Sequence, residues 1–212
     1  KSLVDLKDLK EKNSSIKALA YQLYENNGVL ERNKVTDYLK DLGQNERKVL
    51  RELGVKFGRY HIFLYKLIKP EAVSLRTLLW KNFYQKYFNL KPPTFGLNFV
   101  EDNNIKNRNF MLLCGFEKFD NIYVRIDILE RLFIQIINSK QEKEIKMTSD
   151  MLNLLGCSKD NFKKLLKNMG YKIFEKKDDI FFRYSPQKKL RKMSKKIVKE
   201  SPFGVLKNLN FN

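Results

Sequence analysis

Between Ile122 and Tyr184 the apolar residues change period from two to 3.6 and back, and nearly every block ends on a residue that stops it. Ile122-Tyr123-Val124-Arg125-Ile126 reads as a short strand, followed by Asp127 as a helix cap. Ile128, Leu129, Leu132, Phe133, Ile136 and Ile137 then form one helical stripe. Glu144-Ile145-Lys146 has room only for a small strand. Thr148 or Ser149 caps a brief helix from Asp150 to Leu155, terminated by Gly156; Ser158 caps a second, Lys159 to Met169, terminated by Gly170. Tyr171 to Phe174 and Ile180 to Tyr184 flank a charged segment, which predicts a β-hairpin. Helix, short strand, helix, tight turn, helix and hairpin is the order of a winged helix-turn-helix, and Gly156-Cys157-Ser158 is a short glycine-containing turn of the kind it needs.

The first half reads as helical. Ile16, Leu19, Ala20 and Leu23 form one stripe, ended by Asn26-Asn27-Gly28. A second helix from about Asn33 ends at Gly43, and a third from about Asn45 ends before Gly54. Leu53 to Leu64, with two glycines and β-favouring residues, predicts a short extended piece or tight turn. Pro70 opens a helix running to about Tyr87, and Lys91-Pro92-Pro93 closes it. The expected fold is therefore mainly α with small β elements. A helical bundle (1–90) leads through a connector (91–109) to a winged helix-turn-helix-like α+β module (110–184) and a basic tail (185–212).

Charge narrows the function. Lys and Arg number 43 against 24 acids, a net charge of +19. Lys outnumbers Arg 33 to 10, and Asn is abundant, a bias that A/T-rich drift produces without function. Drift does not explain why the acids fail to keep pace, so a polyanionic partner is the better reading. Nucleic acid is the most plausible such partner. Two Cys and one His cannot build a tetrahedral zinc site or a disulfide framework, and so few thiols suit the reducing cytoplasm. No apolar run approaches the roughly 18 residues of a membrane span, so no membrane partner is expected. The sequence has no phosphate loop and no zinc-protease or serine-hydrolase motif; neither a catalytic constellation nor a cofactor site is expected in it. It begins at Lys1 without Met, as a processed or partial product would.

Three places gather positive charge. Lys159, Lys163 and Lys167 recur every four residues on one face of the second helix of the pair, with Lys164 beside them. Lysine is a point charge without arginine's fork, so this face suits phosphate positioning more than base reading; the bland alternative is a solvated face. Arg183, Lys188, Lys189, Arg191, Lys192, Lys195, Lys196 and Lys199 form an acid-free run that reads as a nucleic-acid arm. Its alternatives are solubility, or an amphipathic helix through Leu190, Met193, Ile197 and Val198. Arg59, Tyr60, His61 and Lys69 surround the glycine-flanked segment, where a ring can stack a base and a cation hold a phosphate. Packing of Tyr60 and His61 in the core is the competing reading.

The stretches ALAYQLYENNGVLER, LRELGVKFGRYHIFLYKLIKPEAVSLRTLLW, YVRIDILERL, MLNLLGCSKDNFKKLLKNMGY and SPFGVLKNL occur in that order. Together they resemble the C-terminal region of bacterial superfamily-two ATP-dependent helicases akin to the mitochondrial-degradosome RNA helicase. The similarity spans Ile16 to Leu209, with Leu53 to Pro70 and Leu154 to Phe162 as its most specific blocks. The resemblance implies a parent with two RecA-like motor domains N-terminal to Lys1, which would bind ATP and Mg and unwind RNA or DNA. None of the motor's ATP-site motifs has a counterpart here, so no catalytic residue carries over. On that resemblance the chain would extend the nucleic-acid path beyond the motor. A stand-alone winged-helix DNA-binding regulator and a protein-interaction scaffold are the alternatives.

Overall fold

The computed structural model describes residues 2–9, 14–85, 89–101, 107–139, 144–176 and 179–185. They are mainly α-helical with three small antiparallel sheets. Helix α1 (Ser2–Lys7) packs on α2 (Ser14–Glu25), which buries Ile16, Leu19, Ala20 and Leu23 as the stripe requires. After α2, β1 (Val29–Glu31) leads through a 3₁₀ turn to α3 (Thr36–Lys40) and α4 (Gln44–Glu52). A hairpin, β2 (Val55–Phe57) and β3 (His61–Leu64), closes this first unit with sheet order β1-β3-β2.

The same topology then recurs twice. Helix α5 (Pro70–Phe83), opened by Pro70, is followed by β4 (Phe99–Glu101), α6 (Arg108–Leu113), β5 (Phe116–Phe119) and β6 (Ile122–Arg125), in sheet order β4-β6-β5. Helix α7 (Ile126–Asn138) begins where β6 ends. It is followed by β7 (Ile145–Lys146), α8 (Ser149–Leu155), α9 (Lys159–Asn168), β8 (Tyr171–Lys176) and β9 (Asp179–Tyr184), in order β7-β9-β8. Each unit thus reads helix, strand, one or two helices, hairpin.

A shared local device marks the repeat. Gly54, Gly115 and Gly170, at φ +91°, +84° and +87°, each reverse the chain between the last helix and the hairpin's first strand. The left-handed region is cheap for glycine alone. Each glycine's carbonyl then accepts the N–H just past the hairpin's second strand: Tyr65 at 3.2 Å, Ile126 at 2.8 Å and Ser185 at 3.1 Å. The residue after each glycine pairs with the end of that second strand, Val55 with Leu64, Phe116 with Arg125 and Tyr171 with Tyr184.

Several expected elements sit where the sequence put them, because their caps are real. Thr148 accepts the Met151 N–H, Ser158 accepts that of Asn161, and Gly156 ends α8 in the left-handed region. Others differ. The first 90 residues hold a three-stranded sheet as well as helices, and the stretch expected as a connector contributes β4, which pairs with β6. Asp127 lies inside α7 instead of capping it; its carboxylate takes the Arg125 guanidinium. The first two units have apolar clusters of their own, that of the third also takes in Ile122 and Val124 of β6, and Val29, Phe63, Ile68 and Ile126 form a smaller cluster across the junctions. Among the described residues no helix is long and apolar enough to cross a membrane.

Candidate functional site

The β2–β3 turn of the first unit reaches onto α7 of the third. The Glu130 carboxylate, on α7, accepts three consecutive backbone N–H groups, from Arg59, Tyr60 (2.9 Å) and His61 (2.9 Å). Arg32 holds the turn from the other side, its guanidinium donating to the Gly58 carbonyl at 2.6 Å. A Cβ at residue 58 would overlap the Glu130 carboxylate, so only glycine lets helix and turn come this close. The turn is therefore built by residues some 70 positions apart.

Behind it lies a buried charge network. His61 is 2% exposed; its Nε2 is 2.6 Å from Glu117 and its Nδ1 is 3.8 Å from Glu130. Arg108 binds Glu117 through two nitrogens, at 2.9 and 3.0 Å, and reaches Glu31 at 2.8 Å. Burial opposes charge on His61, but the hydrogen bonds and charges of Glu117 and Glu130 outweigh it and raise its pKa. Burial likewise works against both carboxylates. The His61 ring and the donated N–H groups prevail and hold Glu117 and Glu130 below the ordinary range. The network ties together all three units, through Glu31 and His61, Arg108 and Glu117, and Glu130. Among the described residues no group of three or more His, Cys, Asp or Glu is arranged to hold a metal ion.

Tyr60 and Arg59 stand between two cavities and line both. One, of about 450 Å³, lies between the turn, α7 and the β8–β9 sheet, and its rings are Tyr60, Phe133, Tyr171 and Tyr184. Tyr60 meets Phe133 edge-on at 5.5 Å, and Tyr171 meets Tyr184 at 5.4 Å. Arg59 and Arg183 are its cations, Ile136, Ile137, Ile145 and Met169 fill out the lining, and the Arg59 guanidinium lies 5.7 Å from the Phe133 ring. Neither guanidinium is in an ion pair among the described residues. In the second cavity, of about 500 Å³, Arg32, Arg59, Arg108 and Lys118 face Glu31 and Glu117. Both carboxylates already have cationic partners. One side of the turn thus offers rings, the other net positive charge.

The structure gathers some of the expected residues and separates others. Arg59, Tyr60 and Arg183, read from two distant segments, meet at one cavity. His61 lies at the base of the second cavity, held by carboxylates. Lys69 precedes α5 with its ammonium 5.6 Å from the Tyr65 ring, and lines neither cavity. On α9, Lys163 is paired with Glu175 at 2.6 Å and Lys164 with Glu101 at 3.1 Å, while Lys159 and Lys167 are exposed. Asn161 also binds Glu101, and Asn168 donates to the Phe119 carbonyl, so part of α9 faces the second unit. Lys188, Lys189, Arg191, Lys192, Lys195, Lys196 and Lys199 lie outside the described residues.

Phe133, Tyr171, Tyr184, Arg32, Arg108 and Lys118 were not expected as site residues. A repeated signal could have led to them. L-G-V-K-F, C-G-F-E-K-F and M-G-Y-K-I-F mark three equivalent hairpins and place Arg59 and Tyr60 at the tip of the first. Thiol chemistry has no support, since burial pushes Cys114 up to about 12 and Cys157 up to about 11, leaving both protonated at neutral pH. No family model, curated protein or solved structure matches this chain.

Proposed function

We propose that this chain is a nucleic-acid-binding accessory region, C-terminal to the motor of an ATP-dependent helicase, that guides single-stranded or unwinding RNA or DNA beyond the motor. The third unit, 126–184, is read as a winged helix, and the shared topology extends that reading to the first two. RNA is the favoured ligand. ATP and Mg would be handled by motor domains N-terminal to these residues, and the cytoplasm is the compartment the reading implies.

The observation that carries it is the meeting of Arg59, Tyr60 and Arg183 with three further rings at one open cavity. Aromatic faces beside unpaired guanidinium groups are what stacking bases and phosphates call for. The net charge of +19 adds long-range attraction for the same class of ligand. The test is fluorescence anisotropy with labelled oligo(U) and oligo(dT) across a salt series. Binding should weaken with a log–log slope of about −0.7 per phosphate contact. No binding at low salt would refute the proposal.

A second reading has one observation in its favour. Helix α5 leaves Leu75, Leu78, Leu79 and Phe83 exposed, with Phe83 at 79%. A stripe of that kind suits a protein partner, such as a ribonuclease, and that scaffold reading requires binding that nuclease treatment leaves intact.

A further inference from the structure

The two cavities beside the Arg59–Tyr60 turn differ in chemistry in the way that the parts of a nucleotide differ. The ring-lined cavity has Tyr60, Phe133, Tyr171 and Tyr184 for walls and Arg59 and Arg183 for cations. The other is lined by Arg32, Arg108 and Lys118 together with Glu31 and Glu117, whose charges are already paired, and Arg59 and Tyr60 are common to both. A base presents a flat apolar face and a phosphate presents charge. In a duplex the base faces are stacked on their neighbours, so a ring-lined cavity can serve only a base that is unpaired and turned out.

The rings are also held in advance of any ligand. Tyr60 is held by the edge of Phe133, and its backbone by Glu130. Tyr184, 57% exposed, leans on Tyr171 and leaves its outer surface open. A platform already in place loses little conformational entropy on binding.

We propose that the Arg59–Tyr60 turn divides one binding path into a base cavity and a phosphate cavity, and that the ligand is a single strand with one unpaired base inserted among Tyr60, Tyr171 and Tyr184. This rests on the nucleic-acid reading above and adds which cavity takes a base and which takes a phosphate.

The experiment measures anisotropy of the full chain with fluorescein-labelled 12-nucleotide oligo(U), oligo(dT), an abasic 12-mer and a 12-base-pair duplex. Oligo(U) or oligo(dT) should bind about tenfold or more tighter than the abasic strand, and tighter than duplex. Whichever of the two binds better tells RNA from DNA. Tyr184→Ala, at an exposed position, should weaken single strands about tenfold with the salt slope unchanged, because it removes a ring and no charge. Arg59→Ala and Arg183→Ala should each lower the slope by about 0.7. Equal binding of abasic and base-bearing strands, or of duplex and single strand, overturns the base cavity even if Tyr184→Ala fails to fold. If the arginine variants still weaken binding in that case, the nucleic-acid reading survives without it. If no oligonucleotide binds, both fail.

Discussion

Among the described residues are two basic surfaces that sequence alone ranks in one order and the fold in the other. Helix α9 has four lysines within nine residues, and two of them are occupied by Glu175 and Glu101. The β2–β3 turn carries one arginine at its tip, yet that arginine shares a cavity with a second one and four rings. Counting charges on an element finds where cations are. It does not find which of them neighbouring elements have already paired.

The sharpest way to break this comparison is to remove what holds the turn. Glu130→Ala would leave three backbone N–H groups without their acceptor and take a carboxylate away from the buried His61 ring, so the loss of stability should be about 3–5 kcal/mol. Urea unfolding checks it, and Gly58→Ala should act in the same direction by displacing the same carboxylate. Stability unchanged in both would mean that the turn stands without α7. The next effect is on binding. Arg59→Glu with Arg183→Glu should weaken single-strand affinity about 100-fold. Lys163→Glu with Lys167→Glu should cost only a few-fold, since Lys163 already serves Glu175. The reverse ranking would return α9 to first place.

How the two surfaces were read shows what a sequence exposes. The third unit was legible because its signals are local: a hydroxyl at Thr148 or Ser158, a glycine at 156 or 170, a stripe along α7. Strands β1 and β4 were not, because three residues are too few for alternation to stand out. Glu130 lies beside an apolar stripe and reads as a solvated acid until the Arg59 turn, about 70 residues earlier, is folded against it. Arg59 and Tyr60 were visible as a chemical type. Their meeting with Tyr184 was not, since it depends on packing between units.

A smaller effect is expected with pH. His61 titrates higher in the folded chain than its ordinary 6.5, so its contribution is complete below 6.5 and is lost as pH rises through the raised value. Glu117 and Glu130 titrate lower than 4.5, so theirs is present above 4.5 and is lost as pH falls through the lowered values. Thermal unfolding should therefore show stability falling on the alkaline side, and His61→Gln should flatten that limb. An unchanged alkaline limb in His61→Gln would separate the network from the pH response. The smallest effect should come from Lys159→Ala, a single exposed cation, at about twofold in affinity.

The central claim is that the cavity beside the Arg59–Tyr60 turn, and not the α9 face, is where a single strand is held. Photocrosslinking of a 4-thiouridine-containing oligonucleotide to the full chain, with the attached peptides mapped by mass spectrometry, tests it most directly. Crosslinks at Tyr60, Tyr171 or Tyr184 are the predicted result; crosslinks confined to 159–168 and the residues after Ser185 would contradict it.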